Sequence, residues 1–261
     1  MDDSGFAFTA LDAQGKELST LEPIRNFSHL QFVNVAKNQL SDATPLSDLP
    51  YLVGVDLSGN ALVTPPAFTN PYLQAIDVSQ NQLTTVQGLA SSTASSLKIN
   101  GTSAHCCTVA DNQLETLAGL SGLPSLVTLE ASRNSLTDLT ALSSEPVNKL
   151  ERLELNQNKL LSLAGVESIP TLTCLSASEN NLDSFESIEK LSTLEKLSEL
   201  NLAQNPVVDS ENYRLHMLIM LPQLQKLDGE LVTEADRLAA VALKREREAA
   251  EAAAAADDTE S

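Results

Sequence analysis

Tryptophan is absent from this chain, and six phenylalanines with three tyrosines are its only aromatics in 261 residues. Interfaces usually lean on aromatic anchors, so scarcity here leaves charge and backbone fit to carry recognition. Basic residues are also short: 16 Lys and Arg stand against 35 Asp and Glu, a formal charge of −19. Neutralising a phosphate backbone needs a basic stripe, so direct nucleic-acid binding is excluded and basic or neutral proteins are the expected partners. No window approaches 18 uninterrupted apolar residues, which predicts no transmembrane helix. The start, Met1-Asp2-Asp3-Ser4, lacks the basic and apolar regions of a signal peptide. Three cysteines, none at the ends, are too few for disulfide-closed termini, so a reducing, cytoplasmic setting is expected. The sequon Asn100-Gly101-Thr102 would be idle there.

What the chain does have is a repeat. Asparagine recurs at Asn38, Asn60, Asn81, Asn112, Asn134, Asn158, Asn180 and Asn205, at intervals of 22, 21, 31, 22, 24, 22 and 25 residues. Apolar residues sit eight, five and three places before each asparagine and two after, as in Leu150, Leu153, Leu155, Asn158, Leu160. An earlier, degenerate unit places Phe8, Leu11, Ala13 and Leu18 in the same phase. Alternation around the second and third apolar positions predicts a short strand with one buried face. The asparagine then turns the chain, its carboxamide bonding backbone groups that would otherwise be orphaned inside. No coil of this kind can bury its own apolar face, so neighbours must stack. The expected fold is α/β: a leucine-rich-repeat solenoid with a concave parallel β-sheet and short turns or 3₁₀ segments on the convex side. One interval is long, and the Ser-, Thr- and Ala-rich stretch near 90–102 reads as a tolerated insertion on the convex side or an edge.

The far end reads as a cap. Asp209 or Ser210 is placed to start a helix to about Met220, with Leu215, Leu218, Ile219 and Leu221 covering the open core. A last strand-like segment follows through Asp228. Thr233 and Asp236 form a loose capping box for a trailing helix, whose apolar patch is Leu238, Val241, Ala242 and Leu243. The expected organisation is a tail over 1–7, about nine units over 8–205, a helical cap over 206–232, and a helical then disordered tail over 233–261.

Alternation sends two rows outward on the concave side. One reads Asn34, Asp56, Asp77, Thr108, Glu130, Glu154, Ser176, Asn201, and the next reads Ala36, Ser58, Ser79, Ala110, Ser132, Asn156, Ser178, Ala203. Parallel strands lie about 4.8 Å apart, so Asp56 crowds Asp77 and Glu130 crowds Glu154. A row of acids beside a row of small residues points to a partner with a basic contact element. Phe32, Asn34, Asp56, Asp77, Glu130, Arg152 and Glu154 are the candidate contact residues. The plainer alternative is that the acids merely keep an exposed sheet soluble.

Catalysis has no foothold. His29, His105 and His216 belong to different coils. His105 stands beside Cys106 and Cys107, but alternation points Cys107 inward and Cys106 outward, and the outward Cys174 lies about 14 Å away at strand spacing. No phosphate-binding glycine loop or calcium loop occurs, so neither metal, cofactor nor small-molecule substrate is expected.

Tyr213-Arg214 and Leu221-Pro222-x-Leu224-x-x-Leu227-Asp228, following Asn205-Pro206, resemble the terminal cap of the SDS22-like leucine-rich-repeat family. That cap is shared by phosphatase regulators, an axonemal dynein light chain, a spliceosomal subunit and ciliary proteins. The stretches Arg25-Asn26-Phe27-Ser28-His29-Leu30-Gln31-Phe32-Val33, Pro71-Tyr72-Leu73-Gln74, Phe185–Leu191 and Lys244-Arg245-Glu246-Arg247-Glu248 resemble the radial-spoke members of that family. The resemblance implies a structural, non-enzymatic subunit of the radial spoke in the axoneme of motile cilia or flagella, bound to other spoke or axonemal proteins. The alternative it leaves is a regulatory or targeting subunit of a phosphatase, dynein or spliceosomal complex. A phosphatase regulator would need large exposed aromatics on the concave face, where the sequence shows only Phe32.

Overall fold

In a computed structural model, residues 7–87, 89, 106–120, 123, 125–144 and 147–257 are described. The 90–102 insertion and His105 therefore lie outside the described residues, as do the side chains of Cys106, Cys107 and Thr108.

Among the described residues eleven strands form one sheet in strict chain order. They are β1 (Ala10–Asp12), β2 (Phe32–Asn34), β3 (Gly54–Asp56), β4 (Ala75–Asp77), β5 (Cys106–Thr108), β6 (Thr128–Glu130), β7 (Arg152–Glu154), β8 (Cys174–Ser176), β9 (Glu199–Asn201), β10 (Lys226–Leu227) and β11 (Glu230–Leu231). Neighbours from β1 to β10 pair in parallel, with Leu11, Val33, Val55 and Ile76 in one row and Leu129, Leu153, Leu175, Leu200 and Leu227 continuing it. That row is the apolar middle position of each unit, and it points into a single core running the length of the solenoid. The opposite wall is built of 3₁₀ turns at Glu22–Asn26, Thr44–Asp48, Val166–Ser168 and Glu186–Thr193, with one short α-helix, α1 (Ala141–Ser144). Units of this length have no room for longer helices on the return path.

The asparagines form a ladder between coils. Asn60 Nδ2 donates to Val35 O of the preceding coil at 3.1 Å and to its own coil's Leu57 O at 2.8 Å, while Oδ1 accepts from Leu40 N at 3.0 Å. Asn81, Asn112, Asn134, Asn158, Asn180 and Asn205 repeat this three-way pattern. Asn38 does the same toward the degenerate first unit, accepting from Lys16 N and Leu18 N. Each ladder asparagine follows a residue at positive φ: Lys37, Gly59, Gln80, Asp111, Arg133, Gln157, Glu179 and Gln204. Seven of these eight are not glycine, and a left-handed residue costs about 1–2 kcal/mol, so the ladder holds the turn against its own backbone preference. A further buried asparagine, Asn70, ties the convex side by donating to Leu46 O and Leu49 O at 2.9 and 2.8 Å.

Four expectations need correction. Phe8 is 70% exposed, not part of the core, and rests edge-on against Phe27 with ring centres 6.3 Å apart. The row Ala36, Ser58, Ser79, Ala110, Ser132 does not form a small-residue floor, because the strands are only three residues long. By that position the chain is already turning: Ala36, Ser79, Ala110 and Ser132 are buried, and Ser58 O accepts from Lys37 N of the preceding coil. The cap helix α2 (Tyr213–Met220) starts from Asn212 at positive φ with no side-chain cap, while Asp209 ends a separate 3₁₀ turn. The trailing helix α3 (Glu234–Asp257) packs through buried Ala240, and Leu238 and Val241 face outward.

The end of the sheet is closed by a hairpin. Leu227 pairs with Glu230 across Asp228-Gly229, both at positive φ, the two-residue turn that an Asp-Gly pair favours. Asp228 Oδ1 accepts from Leu202 N at 2.6 Å, supplying the acceptor that a further coil would have offered. Burial pushes its carboxyl above the ordinary range. Thr233 N donates to Asp236 Oδ2 and Asp236 N to Thr233 Oγ1, a reciprocal capping box at the head of α3. Arg214 bridges cap and helix, its guanidinium 3.0 Å from Asp236 Oδ2 and 3.0 Å from Leu231 O.

Candidate protein-docking surface

The concave face carries two rows, set by the first and third residues of each strand. The row of third residues runs Asp12, Asn34, Asp56 and Asp77 before β5, then Glu130, Glu154, Ser176 and Asn201 after it. Its first members are not free acids. Asp12, Asn34, Asp56, Asp77 and Asn201 each accept, through Oδ1, the backbone N–H two residues ahead, at 2.8 to 3.2 Å. Asx side chains of this length reach that donor and end the strand, whereas Glu130 and Glu154 are too long to do so. The signal was present in the sequence as Asp or Asn one place before each inward apolar residue. A carboxylate uses one oxygen in this bond and leaves the other outside it.

The first row divides the face in two. Over β1 to β4 it reads Ala10, Phe32, Gly54, Ala75, and over β6 to β10 it reads Thr128, Arg152, Cys174, Glu199, Lys226. Gly54 is what lets the Phe32 ring lie flat: a Cβ at Gly54 would meet Phe32 Cδ1 at 3.2 Å. Small neighbours around a single ring leave a hollow of about 590 Å³. Its floor is Phe32, Gly54, Ala75 and the backs of the inward residues, and its rim is Asp12, Asn34, Asp56 and Asp77. Phe32 remains 53% exposed.

The seven sequence-derived contact residues therefore fall into two groups. Phe32, Asn34, Asp56 and Asp77 line the hollow together. Glu130, Arg152 and Glu154 stand beyond β5, where charges answer one another within the sheet: Arg152 lies 3.3 Å from Glu154 Oε1. Burial, then the like charges of Glu154 and Asp77, raises the Glu130 carboxyl above its usual range. Cys174 does share the concave register with Arg152 and Glu199, but it is 8% exposed, not open as alternation alone implies. Its longer neighbours cover it, and burial pushes the thiol up. Among the described residues no group of His, Cys, Asp and Glu is placed to hold a metal ion.

The few aromatics are clustered. Among the described residues, Phe8, Phe27, Phe32, Tyr51 and Tyr72 are the exposed ones, all within the first coils. His29, Tyr51 and Tyr72 occupy one register position, three residues ahead of β2, β3 and β4, and the His29 and Tyr51 rings stack in parallel with centres 5.9 Å apart. Sequence counting hides this, because the rings come together only when coils stack.

Exchanging Asp56, Asp77, Glu130 and Glu154 together for their amides should leave the melting temperature within a few degrees of the parent chain. Asparagine keeps the Oδ1 acceptor that closes β3 and β4, and changes of half-exposed charges away from a buried network are usually worth within about 0.5 kcal/mol each. Thermal denaturation of the fourfold variant checks this. A collapse in stability would show that the charges themselves, not the amide-compatible bonds, hold the strand ends.

A stacked parallel sheet, an asparagine ladder and an open concave face define a leucine-rich-repeat protein-interaction scaffold. The chain belongs to the leucine-rich-repeat family, whose profile, described as "Leucine-rich repeat", matches residues 121–256. It is similar to human leucine-rich repeat-containing protein 23, at 30% identity over 274 residues, 92% of this chain and 73% of that protein. Dynein axonemal light chain 1 of Chlamydomonas reinhardtii is 45% identical over 125 residues, covering 45% of this chain and 63% of that one. Among solved structures, the leucine-rich-repeat domain of APL1B superposes with a TM-score of 0.60 at 19% identity, over 84% of this chain and 68% of that domain, a likeness of fold alone.

Proposed function

We propose that this chain is a structural subunit of the axoneme in motile cilia or flagella, part of a radial spoke, acting by binding other proteins and not by catalysis. The observation that carries the reading is the similarity to leucine-rich repeat-containing protein 23 over 92% of this chain, joined by the partial match to the axonemal dynein light chain. The site chemistry agrees with a binding role. Its carboxylates lie on an open sheet, and those of Asp56 and Asp77 are partly engaged in closing their strands. Concave acids steer and orient a basic partner more than they add affinity. In this reading the chain works in the cytoplasm, on the ciliary cytoskeleton, with no cofactor.

A tagged full-length chain is expected to enter ciliary axonemes and to remain there after detergent extraction. Uniform cytoplasmic or nuclear signal would overturn the reading, nuclear signal favouring a spliceosomal assignment. A second reading, a subunit of an axonemal dynein complex, is favoured by the 45% identity with the dynein light chain. Co-purification decides between them: recovery with dynein heavy chains supports the second reading, and recovery with other spoke proteins supports the first.

A further inference from the structure

The concave face is uneven, and its first four coils differ from the rest in three ways. They hold the apolar hollow, they carry the exposed aromatics, and their rim is Asx throughout. Across the strands the order is consistent: His29, Tyr51 and Tyr72 at the strand entry, Phe32 over Gly54 and Ala75 in the middle, Asp12, Asp56 and Asp77 at the strand exit. No basic side chain lines the hollow. The far half of the face, by contrast, meets its own charges through Arg152 and Glu154.

Resting on the reading of the concave face as a partner surface, we infer that this hollow receives a short amphipathic helix of a partner protein. That helix lies across the strands, with its apolar side on Phe32 and Ala75 and arginine or lysine along one flank. Dimensions favour a helix. Three-residue strands span about 10 Å, close to the 10–12 Å width of a helix with its side chains. Four strands at about 4.8 Å spacing give about 14 Å of floor, enough for between two and three helical turns. A strand cannot add here, because the face offers side chains and no unpaired sheet backbone. The basic flank follows from charge: Asp12, Asp56 and Asp77 each spend Oδ1 on a backbone N–H, which leaves Oδ2 outside that bond, and a guanidinium or ammonium is the matching group. The aromatic entry edge then meets the opposite flank of the same helix.

The test uses the full chain and a synthetic helix of about three turns, with leucines on one side and arginines on the adjoining flank. A twin peptide has glutamate in place of arginine. Hydrogen exchange of the complex should show protection of the backbone over 32–34, 54–56 and 75–77. Affinity should fall about tenfold or more in Ala75→Arg, which fills the floor and adds a positive charge at an exposed position facing the basic flank, and in Phe32→Ser. Both variants should keep the parent melting temperature. The glutamate twin should leave no footprint. Protection centred on Glu130 and Glu154, equal affinity for Ala75→Arg and Phe32→Ser, or equal binding of the acidic twin would each overturn the inference. An axonemal chain that fails these tests would retain its proposed function and lose only this docking site.

Discussion

Asn134→Ala should destabilise the solenoid by about 2–4 kcal/mol, an outsized loss for one polar residue. Asn134 is buried and joins two coils: Oδ1 accepts from Leu114 N at 2.9 Å, and Nδ2 donates to Val109 O and Ala131 O at 3.0 and 3.1 Å. The carbonyls keep other donors, since Asn112 also reaches Val109 O and Asn158 also reaches Ala131 O. Leu114 N keeps nothing equivalent. One orphaned buried donor costs about 1–3 kcal/mol and each lost bond about 1 kcal/mol net, which sets the range. Arg133, at φ 54, loses the contact that holds its turn, so relaxation there cannot recover much. Urea denaturation measures the effect, with the exposed Glu115→Ala as a comparison expected to shift stability by less than about 0.5 kcal/mol. Equal midpoints for the two variants would show that water enters the turn and replaces the carboxamide.

The second large effect belongs to the cap. Leu224 is fully buried, and Arg237 of α3 donates to the backbone oxygens of Pro222 and Leu224 beside it. Leu224→Ala should cost about 2–5 kcal/mol, the range for truncating a leucine in a core that cannot collapse. Removing everything from Asn212 onward should do more, because Leu202, Val207 and the backbone N–H of Leu202 would face water. A lower melting temperature with new binding of a hydrophobic dye is the expected pair of results. A truncated chain that melts as the parent does, without dye binding, would mean that the last coil seals itself.

Most of the architecture was readable before any coordinates. The spacing of Leu153, Leu155 and Asn158 repeats in the eight units that carry the asparagine, and each solves the same local problem: bury two side chains, turn, and satisfy the backbone groups at the turn. Periodicity of that kind needs no distant information. Even the capping box of Thr233 and Asp236 lies within four residues. The hairpin at Asp228-Gly229 could have been read from the same kind of local signal, since that dipeptide suits two consecutive positive φ values.

What resisted reading was which outward residues stay open. Alternation places Cys174 and Phe32 on the same concave row, yet one is covered by Arg152 and Glu199 and the other lies half-exposed over Gly54. Asp56 and Glu154 likewise look alike as acids in a row, but the shorter side chain reaches Ser58 N while the longer one pairs with Arg152. Ala36 and Ala110, counted as a floor, are buried because the strand has ended before them. The repeat pattern alone was sufficient for the coil, its turn and its stacking direction, because those depend on neighbours along the chain. The hollow, the aromatic edge and the division of the concave face arise between residues about twenty positions apart, where the size and charge of the side chain on the next coil settle what remains exposed.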